Sequence, residues 1–285
     1  MTHRAHTRWM LFFGVFLGIT ARAAQHDHAE SSQKPSVLLS GMGNHHHPIS
    51  TKNPEAQKFF DQGIILAFAF NHDEAARSFR HAMELDPQAA MPYWGLAWVL
   101  GPRYALAALT PGSEIFLDVD LAREKAAFEA VQKAVRISSH APENERRYIE
   151  ALAQRYSANP TANRRKLLTD YKEAMGQLTK QYPDDLDAAV LYAESIMDLR
   201  PWQLWRTDGT PEEGTMEAVS VLEAVLGHDP QHPGANHYYI HAVEGSHRPE
   251  RALPSAERLM TLVPGAGHLL HMPAHIYFQT GDYEP

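Results

Sequence analysis

Two short stretches carry the residues with the most chemical capacity. In NHYYIHAVE, residues 236–244, His237, His241 and Glu244 fall at i, i+4 and i+7, so a helix places all three on one face. In GHLLHMPAH, residues 267–275, His268, His271 and His275 repeat the theme. His237 to His271 and His241 to His275 are each 34 residues apart, so the two HxxxH pairs hold equivalent places one period away from each other. Imidazole nitrogens and carboxylates suit a divalent transition metal such as zinc, iron, manganese or copper, and the expected ligand set is His237, His241, Glu244, His271 and His275. Pro273 is tolerated only in a first helical turn, so the last helix is expected to begin near Met272, with His268 and His271 on the turn before it.

Two other readings stay open beside the metal: a generic polar lining, and a metal-free site for a substrate or for sensing pH. The zinc-protease pattern H-E-x-x-H is not met, because Tyr238 holds the place of the general base. No G-x-S-x-G nucleophile signature and no phosphate-cradling glycine loop occur. Glu194 or Glu244 could act as base toward a metal-bound water, and these are the catalytic candidates. The residues do not decide between a binding scaffold and a metal-dependent hydrolase or oxidase.

The elements that position these residues are helices. In the stretch ending at Pro87, Phe59, Gly63 and Leu66 mark one helix and Ala75, Phe79 and Ala82 the next. The pattern recurs with Ala218, Leu222 and Pro230, then with Ala252, Ala256 and Pro264, and the two prolines are 34 residues apart. Further helices are expected near 90–100, 121–138, 143–157, 162–181, 186–199, 215–228, 235–246, 250–262 and 269–280. Nothing reads as a strand ladder, so the fold class is all-α.

Small residues at a helix crossing, proline after the second helix and a 34-residue period resemble tetratricopeptide repeats. The resemblance covers most of residues 53–285, as an α-solenoid of about five and a half helix–turn–helix pairs. The segments GMGNHHHPIST, FNHDEAARSF, AMPYWGLAWVLGP, NHYYIHAVE and GHLLHMPAHIYFQTGDY together look like a group of exported bacterial tetratricopeptide repeat proteins, and are distantly similar to tetratricopeptide repeat protein 38. The resemblance implies a scaffold that binds a protein or peptide in a concave groove lined by the first helix of each pair. In that register Trp94, Trp98, Glu194, Asp198 and His268 also fall on groove positions, whereas Tyr239 and Tyr277 face the core. Insertions at 101–120 and 201–214, the latter with Trp202 and Trp205, are expected to pack as lids. The final GDYEP resembles the turn after a first helix, so the natural chain is expected to continue.

Composition sets the outer limits. The chain has 285 residues, 44% of them hydrophobic, with 18 histidines and no cysteine. That excludes disulfides, iron–sulfur clusters and thiol nucleophiles. Residues 1–24, with Arg4 and Arg8 ahead of an apolar run and Ala21-Arg22-Ala23 behind it, read as a secretory signal peptide. The run is too short for a membrane span, so a periplasmic or secreted protein is expected, without a stable span after cleavage. Removing residues 1–24 leaves 23 basic against 34 acidic side chains, a formal charge of −11. An acidic chain without a basic stripe is not a nucleic-acid binder. Residues 25–52 are polar and without period, an extended leader whose His26, His28 and His45 to His47 could gather a metal only loosely.

Overall fold

The computed structural model describes residues 36–102, 104, 120–159 and 161–281. The segment at 1–24 and most of the insertion at 101–120 lie outside the described residues, as do His26 and His28. The helices run α1 (Pro54–Phe68), α2 (His72–Leu85), α3 (Ala90–Leu100), α4 (Leu121–Ile137), α5 (Glu143–Ala153), α6 (Arg164–Gln181), α7 (Leu186–Met197), α8 (Thr215–His228), α9 (Pro233–Val243), α10 (Leu253–Leu262), α11 (Gly267–His271) and α12 (Pro273–Thr280). Among the described residues there is no strand, only an isolated bridge between Trp205 and Pro211. No helix among them is long and apolar enough to cross a membrane.

Local chemistry fixes where these helices start. Asn53 accepts from the backbone N–H groups of Glu55 and Ala56 ahead of Pro54, so cap and proline together begin α1. Asp120, Asn163 and Asp185 cap α4, α6 and α7 in the same way. The helices pair as expected, α1 with α2, α3 with α4, α5 with α6, α7 with α8 and α9 with α10. The Phe79 ring of α2 is wedged between Gly63 of α1 and Gly95 of α3. A β-carbon on either glycine would stand only 2.5 or 2.6 Å from that ring, so the crossing requires glycine at both. The architecture is a tetratricopeptide-like succession of helical pairs.

One contact departs from a simple stack. α1 packs against α9 as well as against α3, so the row of first helices returns to its own beginning. All eleven residues of α9 are buried, and all of α3 except Tyr93. A helix buried on every side needs neighbours on every side, and α1 supplies one of them for α9. The positions expected to line an open groove are therefore enclosed: Trp94, Trp98, Glu194 and Asp198 are each no more than 3% exposed.

Residues 36–52 add to the enclosure. Leu39 N–H donates to Gln62, the Gly41 carbonyl accepts from Gly265 N–H at 2.8 Å, Ser50 donates to Glu145 and Thr51 to Asp86. This stretch is tied to α1, to the residue after α2, to α5 and to the turn between α10 and α11. Part of the second insertion packs too. Trp205 Nε1 donates to the Ala242 carbonyl at the end of α9, and Leu204 is buried.

Candidate metal centre

α9 and the broken pair α11 and α12 bring five histidines together, with the break at Pro273 where the sequence places it. His237 is fully buried, and its Nδ1 lies 2.5 Å from the carbonyl oxygen of Phe68 at the end of α1. A carbonyl can only accept, so the Nδ1 of His237 carries the proton and Nε2 keeps a lone pair. His241, one turn on, donates from Nδ1 to Glu244 Oε1 at 2.7 Å. Its Nε2 is buried without a partner. His268 Nε2 lies 3.0 Å from His237 Nε2. One ring nitrogen from each of His237, His241 and His268 lies within 4.8 Å of the others.

His237 and His241 show the arrangement a metal-ligating histidine needs: one nitrogen aimed at a shared point, the other fixed by a carbonyl or carboxylate. Two nitrogens bound to one ion at about 2.0–2.1 Å stand roughly 2.9–3.3 Å apart for angles between a right angle and the tetrahedral value. The 3.0 Å between His237 and His268 lies inside that interval. Burial, reinforced by His241 and His268, holds His237 well below the ordinary histidine value, and burial with His241 and His271 brings His268 down to about 4. Both imidazoles are therefore neutral, as ligands must be.

Glu244 serves the histidines with both oxygens. Oε1 accepts from His241, and Oε2 accepts from His275 Nδ1 at 2.6 Å. Burial works against its charge, but these two hydrogen bonds prevail and hold the carboxyl down to about 2. His275 Nε2 in turn faces His271 Nε2 at 3.0 Å.

An aromatic shell surrounds the cluster. Phe70 stacks on His241 at 5.5 Å between ring centroids and meets His237 edge-on at 4.4 Å, while Trp202 stands edge-on to His241 at 5.2 Å. Phe70 and Trp202 are the only non-glycine residues with positive φ among those described, at 55° and 59°. Each such conformation costs roughly 1–2 kcal/mol in a bulky residue. Both strained positions thus set a ring against His241.

A second histidine cluster looks similar but obeys the opposite proton logic. Buried Asp187 of α7 accepts from His45 Nε2 at 3.0 Å, His47 Nδ1 at 2.7 Å and His232 Nε2 at 3.1 Å. His232 also caps α9, its Nδ1 accepting from Ala235 N–H, so its proton sits on Nε2 and points at the carboxylate. Every facing nitrogen here donates to the carboxylate, so these contacts are satisfied without an ion, although one atom from each of His45, Asp187 and His232 also lies within 4.8 Å of the others. Burial opposes charge on His45 and His47, but Asp187 outweighs it and raises both. Asp187 itself is held well below the carboxylate range by the same partners, against its burial. The cluster is a hydrogen-bonded hub that ties residues 45–47 to α7 and to the start of α9. Nothing local in the sequence pairs the GNHHHP stretch with Asp187, 140 residues away.

The remaining candidates are elsewhere. Glu194 accepts from Trp98 Nε1 at 3.0 Å and Tyr238 OH at 3.1 Å. Burial and the neighbouring Asp198 push it up to about 8. Asp198 forms an enclosed ion pair with Arg155 at 2.6 Å. Trp94 and Trp98 stack on each other, 5.5 Å apart. Tyr239, expected in the core, is buried with its hydroxyl on Glu223. Tyr277 is half-buried and reaches Met260.

No family model matches the chain, and no curated protein matches it. Among solved structures, it is similar to one described as "Crystal structure of YrrB: a TPR protein with an unusual peptide-binding site". That similarity is 17% in sequence identity over 76% of this chain and 91% of the other, with a TM-score of 0.36.

Proposed function

We propose that this chain is a tetratricopeptide-like scaffold that holds a divalent transition metal ion on Nε2 of His237, His241 and His268. The observation that carries the reading is the buried, partnerless Nε2 of His241, beside two neutral imidazoles whose Nε2 atoms face each other at 3.0 Å. A buried acceptor without a partner costs about 1–3 kcal/mol, and a bound ion removes that cost. Three protein ligands leave at least one coordination position. A donor atom of a ligand, or a water, fits there, which makes metal-assisted ligand binding the first function and metal-dependent hydrolysis or oxidation the second.

Glu244 fixes the two rings it holds. Glu194 is enclosed and holds Trp98 and Tyr238, one on each oxygen, which speaks against its reaching a ligand as a base. A protein or peptide partner belongs on an outer surface or beside the cluster, because the inner tryptophans are enclosed. Residues 1–24, read as a signal peptide, direct the chain to the periplasm or the exterior.

Elemental analysis after dialysis against zinc, copper and manganese salts, with thermal unfolding alongside, tests the metal. Binding at 100 times the dissociation constant should stabilise the wild type by about 2.7 kcal/mol, and His241→Ala should abolish the gain. A wild type that holds no stoichiometric metal and unfolds at the same temperature with and without it refutes the reading.

A further inference from the structure

His271 and His275 take no part in the centre formed by His237, His241 and His268, yet they repeat its geometry. The Glu244 Oε2 contact holds a proton on His275 Nδ1 and raises this histidine above its ordinary value, and in its neutral form the lone pair of Nε2 points at His271 Nε2, 3.0 Å away. That separation again lies within the roughly 2.9–3.3 Å expected of two nitrogens on one ion. The pair is accessible, His271 being exposed and His275 only partly covered. The proline break between α11 and α12 leaves both rings on the same side, facing solvent beside Glu244.

We infer that His271 and His275 form a second site for a divalent transition ion, open to solvent, and that Glu244 couples it to the buried site. Each oxygen of this carboxylate takes the Nδ1 proton of one ligand: His241 for the buried ion, His275 for the exposed one. A single side chain thereby sets the tautomer of one ligand in each site. Two protein nitrogens leave most of the exposed ion's coordination sphere to water or to oxygen and nitrogen donors, so carboxylate- or imidazole-bearing ligands are the class it would take. The pair itself needs only its own two nitrogens, and the coupling alone rests on the buried site proposed above.

Equilibrium dialysis of the metal-stripped full chain against zinc and, separately, copper, followed by elemental analysis, tests this, with circular dichroism to confirm folding of each variant. Two ions are expected per wild-type chain and one per chain in His271→Ala. His268→Ala should lose or weaken the buried ion and keep the exposed one. Glu244→Gln removes the negative charge from both Nδ1 contacts and leaves one acceptor oxygen for two protons, so both ions should weaken, by about 10–100-fold. A wild type with one ion that His271→Ala leaves intact overturns the second site while sparing the first. One ion lost equally in His268→Ala and His271→Ala points to one shared site and overturns the inference too. Two ions retained in His271→Ala also refute it, and a Glu244→Gln chain that weakens only one ion removes the coupling. No ion in the wild type sinks both readings.

Discussion

Replacing Asp187 by asparagine tests the contrast between the two histidine clusters most sharply, since the side chain keeps its shape and loses only its charge and one acceptor. Asp187 receives three imidazole N–H groups in a buried setting, two on Oδ1 and one on Oδ2. An asparagine oxygen in place of Oδ1 still accepts from His45 and His232, but as a neutral acceptor. Its amide nitrogen then meets the Nδ1 proton of His47, donor against donor. Two weakened bonds at about 1 kcal/mol each and one orphaned donor at about 1–3 kcal/mol bring the loss to roughly 3–5 kcal/mol. The sign with pH follows from the raised values of His45 and His47. Their pairing with Asp187 contributes fully below the unfolded histidine value of about 6.5 and fades as pH rises through the higher folded values. Urea unfolding in the presence of a chelator should therefore show a larger gap between wild type and Asp187→Asn at pH 6 than at pH 9. Hydrogen exchange should accelerate in residues 45–52, and metal stoichiometry should be unchanged. A loss below about 1 kcal/mol at pH 6, or a gap that widens toward pH 9, refutes the hub as described.

Other outcomes follow from the same geometry. His237 stays neutral in the folded chain far below its ordinary value, so the unfolded chain binds more protons as pH falls below about 6.5, and this residue's share of stability declines by up to about 1.4 kcal/mol per pH unit. The stability difference between wild type and His237→Asn, measured metal-free by urea unfolding, should shrink from pH 7 to pH 5; a flat or growing difference contradicts the assignment. Gly63→Ala and Gly95→Ala each drive a β-carbon into the Phe79 ring and should cost about 1–3 kcal/mol. The double variant should cost less than the sum, because one displacement of the shared ring serves both, as a double-mutant cycle of unfolding free energies would register.

The helices were legible because apolar period, caps and prolines are local signals. Asn53 before Pro54 announces α1, and the small residues at 63 and 95 announce the crossing with Phe79. The 34-residue offset between the HxxxH pairs singled out four of the five clustered histidines, His237, His241, His271 and His275. Side-chain direction was not legible. Spacing counted Glu244 among the ligands and His268 among the groove residues; in the fold His268 faces His237, and Glu244 accepts from His241 and His275, a trio whose ligand atoms lie within 4.8 Å of one another. Nor could spacing show that α1 meets α9, since that contact has no local signature. It is this closure that turns the expected groove positions at Trp94, Trp98, Glu194 and Asp198 into interior. The positive φ of Phe70 and Trp202 was not legible for a related reason: a left-handed backbone at an aromatic residue contradicts local preference and is held by its surroundings alone.

The bond from His237 to the Phe68 carbonyl joins residues 169 apart, and it sets an order of events. In an open array each pair can zip onto its neighbour, and no step waits for the ends to meet. Here closing such a loop in an unstructured chain costs about 4.5 kcal/mol of chain entropy, so the meeting of α1 with α9 belongs late in folding, after intervening pairs have shortened the span. The buried histidine cluster is complete only after that step. On the metal reading proposed above, uptake at this cluster follows folding, and a chain cleaved anywhere that lets α1 drift from α9 would lose the ion while most of its helices stayed intact.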